Sequence, residues 1–415
     1  MTALLRRAML ATTFIGLTLT GAAAQEKPKA EVIHWWTSGG EAAAVKVFAD
    51  KFNEAGGEWV DSAIAGGEAS RSATINRIVG GNPPTAAQFN TGKQFQDLTQ
   101  QGLLNSIEEL AVAGKWRDFM PPSFVEASTK DGQFYAVPIN VHGQNWMFYS
   151  KDVFEKSGVA APPATFDELF SALDKIQAAG FIPLAQGGEL WQERLLFNAV
   201  LLGVAGRDVY MKIYQDRDEA ALQSPEFLKA VETFGRLRQY ADQGSAGRNW
   251  TDTAALVITG KAGIQIMGDW AKGDFKAAGQ TAGQEFGCAL TPGEPTFMIG
   301  GDVFVFPKTS DAEQVKAQNL LATVMLEPET QVAFNTVKGS VPIRSDIDTS
   351  SLDECAKKGL DYLKSPDTQV GNSELLISSD LNGSLGDIIT EFWNDPSASA
   401  EDMVAAYGEA LQSID

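Results

Sequence analysis

Apolar positions along this chain switch repeatedly between helical spacing and short runs that end in glycine. Val45, Phe48, Ala49 and Phe52 share one helical face and predict a helix over 41–55, closed by Gly56-Gly57. A second helix is expected over 70–79, stopped by Gly80-Gly81-Asn82-Pro83-Pro84. Between and before them, Val32-Ile33 and the run 86–89 are too short for helices and read as buried strands. Phe95, Leu98, Leu103 and Leu104 resume helical spacing, which 107–110 carries toward Trp116. Such alternation implies a parallel sheet with helices on both faces.

Strand-type residues fill 133–138 and, beyond Pro138, nearly all of 140–149. Thr165 with Glu168 three residues on forms a capping box for a helix carrying Leu169, Phe170, Leu173 and Ile176. It ends at Gly180, before a strand over 181–185. The middle of the chain reads as helical over 190–202 and 226–243, around a polar segment at 207–224. An apolar helix after Trp250 and strands over 264–267 and 286–290 follow. Pro292-Gly293-Glu294-Pro295 has linker composition, and Gly300-Gly301-Asp302 opens another strand. An amphipathic helix over 312–326 and a mainly helical remainder complete the chain. Passages between two halves are expected near 138–142, 292–295 and 338–342.

Residues 1–24 have the form of an export signal: Arg6 and Arg7, an apolar run over 8–19, and Ala22-Ala23-Ala24 before a cut preceding Gln25. That run is too short for a comfortable membrane span, and no later stretch approaches one. The remaining chain, about 390 residues, is long for one core, which makes two lobes the expectation. Losing Arg6 and Arg7 takes the formal charge of -20 to -22. So negative a surface argues against nucleic acid or anionic membrane as partner. Two histidines in all make a metal centre an unfavoured reading, for His142 as for the other. Cys288 and Cys355 fit one disulfide in an oxidising compartment, or two buried thiols.

Candidate chemistry gathers at strand ends. The first strand stops at Trp35-Trp36 and turns through Gly39-Gly40 to Glu41, which places flat rings at the carboxyl edge of a sheet, where open α/β folds bind ligands. Indole faces suit the apolar C–H face of a sugar ring, and Glu41 accepts from hydroxyls. Adjacent strand residues point to opposite faces, so both tryptophans are buried only if both faces are covered. Lys93 follows the strand at 86–89, and Trp270 follows the one at 264–267. No G-x-S-x-G, H-E-x-x-H or P-loop string is present, so nucleophilic, zinc and phosphate chemistry have no foothold.

Taken in order, several segments resemble the periplasmic solute-binding proteins of ABC importers. The resemblance is to the extracellular solute-binding family that includes maltodextrin binders, and within it to the glucose/mannose-binding branch. It is carried by 33–41, Gly80-Gly81-Asn82-Pro83-Pro84 with Gly92-Lys93, 137–142, Met267-Gly268-Asp269-Trp270-Ala271, Gly300-Gly301-Asp302 and 338–344. It implies an α/β fold of two lobes joined by three crossovers, with the ligand cleft between them. The lobes would be 25–138 with 292–338, and 139–291 with 339–415. Trp35, Trp36 and Trp270 would be the aromatic walls, and Glu41, Lys93, Asp302 and Lys338 would bond sugar hydroxyls. Gly143 stands where the glucose-type pattern commonly has Arg, and Asn382 where it has a ligand-facing His.

The partners so implied are a mono- or disaccharide or a polyol, the membrane permease subunits and their ATPase. No cofactor or metal is implied, and the protein would be a periplasmic monomer without enzymatic activity. Two other readings compete. A secreted glycoside-active enzyme needs two facing carboxylates, for which Glu41, Glu68 and Asp302 are candidates. A binder of the same fold for a non-sugar solute such as a polyamine has Lys93 and Lys338 against it.

Overall fold

The strand Ala86–Asn90 lies at the centre of a five-stranded sheet, in the order Glu58–Ala63, Lys29–His34, Ala86–Asn90, Asp302–Val305, Ala136–Pro138. The first three run parallel, and Asp302–Val305 is antiparallel to both of its neighbours. This computed structural model describes residues 27–413, so the expected export signal 1–24 and its cleavage point lie outside the described residues. No helix among the described residues is long and apolar enough to cross a membrane.

A second sheet has the order Phe286–Leu290, Trp146–Ser150, Ala262–Met267, Ile182–Leu184. Between the two lies a third, Val341–Pro342, Asn140–Gly143, Phe297–Gly300, Gln369–Gly371. The chain enters or leaves the first lobe through this third sheet each time. The strand-type stretch 140–149 is therefore two strands in different sheets. Asn145 makes the bend: its side chain donates to Thr296 O at 2.8 Å and accepts from Met298 N at 2.9 Å.

One expectation shifts. The second passage falls at Gly301 rather than in 292–295, because Phe297–Gly300 already pairs with Asn140–Gly143. Close packing fixes that point, since a Cβ on Gly301 would lie 2.6 Å from the Asn140 carbonyl oxygen. The linker 292–295 packs instead on the helix Leu190–Met211, where Gly293 adopts a φ of 110° against Gly203. Glu58–Ala63 has no sequence alternation because it is a partly exposed edge strand.

Local signals hold elsewhere. The helix Phe166–Ala178 has the capping box of Thr165 and Glu168. The helix Gly39–Glu54 starts at Ser38, whose hydroxyl accepts from Glu41 N at 3.2 Å. Leu190–Met211 runs past the predicted end at 202, with its break at Gly206. Cys288 on the strand Phe286–Leu290 is joined to Cys355 on the helix Glu354–Tyr362 by a disulfide, Cα atoms 6.0 Å apart. Gly143 also finds its reason: a Cβ there would sit 2.2 Å from the Phe297 ring, so the space for an arginine is taken.

Candidate functional site

A cavity of about 1050 Å³ opens between the lobes. Of the residues singled out from the sequence, Trp35, Trp36, Glu41, Trp270, Asp302, Lys338 and Asn382 line it. Lys93 does not. Its ammonium donates to the Leu376 carbonyl oxygen at 3.0 Å, and so holds the turn after the strand Ala86–Asn90 to the opposite lobe.

The first-lobe wall begins with helix geometry. Glu41 stands in the first turn of Gly39–Glu54, and Lys338 is the last residue of the helix Pro328–Lys338. Carboxylate and cation thus sit at the helix ends that each favours. They meet at 2.8 Å, both buried. Burial pushes the Glu41 carboxyl above its usual range, and Lys338 offsets only part of that push. Lys338 also lies over the Trp36 ring, 5.5 Å from its centroid. Trp36 is 1 % exposed and packs on Phe304 and Phe334, at 5.8 and 5.5 Å between centroids. It is a floor of the cavity rather than an open stacking wall. Trp35, its neighbour, is only partly buried, with the Arg71 guanidinium 5.8 Å from its centroid.

Asp302 and His142 form the node where the three sheets meet. Asp302 accepts from Gln88 Nε2 at 2.9 Å, Asn140 Nδ2 at 2.8 Å and His142 Nε2 at 2.9 Å. The other ring nitrogen of His142 bonds Asp269, at the end of Ala262–Met267. Burial alone would lower the His142 pKa, but the Asp269 and Asp302 carboxylates more than offset it and raise the value. Burial would likewise raise that of Asp302. His142, Lys338 and Asn140 reverse the effect and hold it at about 2. His142 thus bridges two aspartates, a structural role within the site.

The second-lobe wall is aromatic. Trp270 stands edge-on to His142 at 5.1 Å and lies 6.1 Å from Trp191, the planes tilted by 54°. Trp191 and Trp250 also line the cavity and were not among the candidates read from the sequence, which placed Trp191 within a helical stretch and Trp250 just before one. Trp191 had a signal. The strand at 182–184 leads into Gln186-Gly187-Gly188-Glu189-Leu190-Trp191, joining Gly-Gly, acid and indole as 35–41 does. Deeper in, Arg194 donates to Glu374 at 3.1 Å, and Glu374 accepts from Asn90 of the first lobe at 2.8 Å. The amide of Asn382 lies 2.7 Å from Ser373 Oγ; with its oxygen turned to Arg194 it accepts from both guanidinium nitrogens, at 3.2 and 3.3 Å. Glu68, a candidate for glycoside cleavage, has a 92 % exposed side chain bonded to Arg71.

Two α/β lobes that pass the chain between them at three points, around a cleft with charged floor and indole walls, define a two-lobed binding-protein architecture. The chain belongs to the bacterial extracellular solute-binding proteins, whose family model matches residues 48–358. It is 38 % identical over 367 residues to a probable sugar-binding periplasmic protein of Rhizobium meliloti (strain 1021), covering 88 % of each chain. A protein of the same name from Brucella melitensis is 39 % identical over 344 residues, 82 % of this chain and 81 % of that one. Among solved structures, the bacterial solute receptor AcbH, described as preferring β-D-galactopyranose, matches with a TM-score of 0.77. At 18 % identity, over 92 % of this chain and 97 % of that one, the likeness concerns the fold.

Proposed function

We propose that this protein binds a neutral sugar in the cleft and delivers it to the permease subunits of an ABC importer, without chemical turnover. The observation that carries this is the pairing of a charged hydrogen-bonding floor, Glu41, Lys338 and Asp302, with the partly buried indoles Trp35 and Trp270 in one cavity. Carboxylate oxygens accept from hydroxyls, the ammonium donates, and the rings take the apolar sugar face. Both relatives described above carry sugar-binding names. Their names also support export to the periplasm, and in this reading residues 1–24 serve as the signal.

In this reading one lobe comprises 25–138 and 302–338, and the other 139–301 and 339–415. Bending at the third sheet closes them over the ligand. The protein works as a monomer, its permease partner being coupled to an ATPase. Thermal-shift screening of the mature chain against mono- and disaccharides is the test. A ligand at 100 times its dissociation constant stabilises by about 2.7 kcal/mol. No stabilisation by any sugar, or recovery of cleaved sugar after incubation, overturns the reading.

A further inference from the structure

The cleft is larger than one sugar ring requires. At about 1050 Å³ it stands at the upper end of the range of about 300–1,000 Å³ usual for small-molecule pockets. Its aromatic surface is extended as well. Trp270 and Trp191 have centroids 6.1 Å apart but planes 54° from parallel. One flat pyranose face cannot lie against both planes, so the two indoles offer platforms to two different rings.

Trp191 is held in place for such a role. Its Nε1 donates to Glu189 Oε2 at 3.2 Å, and the same carboxylate oxygen accepts from Gln192 Nε2 at 2.8 Å. The loop before it is locked onto the segment leading to Trp250: a Cβ on Gly188 would lie 2.4 Å from Gly247 N. Trp191 and Trp250 are therefore positioned together, before any ligand binds. Charge narrows the ligand further. The cationic side chains lining the cavity at lysine and arginine positions are Arg71, Arg194 and Lys338, and each is already paired, with Glu68, Glu374 and Glu41. None is left for a carboxylated or phosphorylated sugar.

We infer, resting on the sugar-binding reading above, that the ligand is a neutral oligosaccharide of at least two rings, the inner one between Trp270 and the Glu41–Lys338–Asp302 floor and the next on Trp191. Calorimetry with xylose, glucose, galactose and mannose beside xylobiose, cellobiose, maltose, lactose, melibiose and mannobiose tests this. At least one disaccharide binds ten-fold or more tighter than its constituent monosaccharide. Trp191→Ala lowers disaccharide affinity by a larger factor than monosaccharide affinity and so removes most of that gain, Trp191→Phe restores most of it, and Trp270→Ala weakens both. Unchanged urea midpoints show that the variants fold. Monosaccharides that bind as tightly as every disaccharide overturn the inference and leave the sugar reading standing. So does a Trp191→Ala variant that keeps the disaccharide gain. If no sugar of either length binds, both fall together.

Discussion

On the first-lobe wall, Glu41, Lys338 and Asp302 are buried and already bonded to protein groups, whereas the second-lobe wall offers Trp191, Trp250 and Trp270 as partly buried rings. Removing a charge from the first wall leaves its partner buried and uncompensated, and that cost falls on the fold as much as on the ligand. Removing a ring from the second wall takes away contact area that matters mainly once a ligand is present. Stability and affinity are thus carried by opposite sides of one cavity.

The strongest way to break this contrast is Asp302→Ala. It strands His142, Asn140 and Gln88 together, and is expected to cost about 3–5 kcal/mol of unfolding free energy in urea titration, with sugar binding lost. Lys338→Met comes next, at about 3 kcal/mol, because Glu41 is left buried without a cation. Combining Glu41→Leu with Lys338→Met recovers most of the stability, since a buried pair replaced by apolar groups is often neutral, yet affinity stays lost.

Titration sharpens the first wall further. Asp302 sits below its ordinary 3.8, at about 2, so its contribution is present above 3.8 and is lost as pH falls through about 2. That loss amounts to about 2 kcal/mol. His142 is raised above 6.5, so its contribution is complete below 6.5 and is lost as pH rises through the folded value. Urea midpoints measured across pH are expected to fall at both ends, and His142→Asn flattens the alkaline fall.

Effects on the second wall are smaller and confined to binding. Trp270→Ala removes a ring worth about 1 kcal/mol beyond its buried area and raises the dissociation constant roughly ten-fold, with little change in the urea midpoint. Lys93→Met marks the lower limit. The lysine bonds Leu376 O rather than the cavity, so affinity stays within roughly two-fold and stability falls by about 1 kcal/mol. A loss of affinity as large as that of Trp270→Ala would return Lys93 to the ligand site.

Much of this was legible along the chain. The stretch 33–41 carries its strand, turn, cap and two indoles within a few residues, so their order alone placed them at a sheet edge. The capping box at Thr165 and Glu168 is equally local. What escaped depends on neighbours far away in sequence. Lys93 has the residue type and strand-end position of a ligand contact, yet a carbonyl 283 positions later claims its ammonium. Glu58–Ala63 lacks the alternation of a strand because an edge position leaves it half exposed.

The sequence by itself determined the alternating α/β pattern and the strand ends that carry polar and aromatic groups. Hydrophobic period, turn residues and caps act over a handful of neighbours and can be read in one pass. Only the tertiary structure decided that the face of Trp36 is covered by Lys338, Phe304 and Phe334, that Trp191 joins Trp270, and that Gly143 has no room for a side chain. Which surface of a residue stays free is set by packing partners that the fold brings together from distant parts of the chain. Residue type and local spacing do not encode those partners.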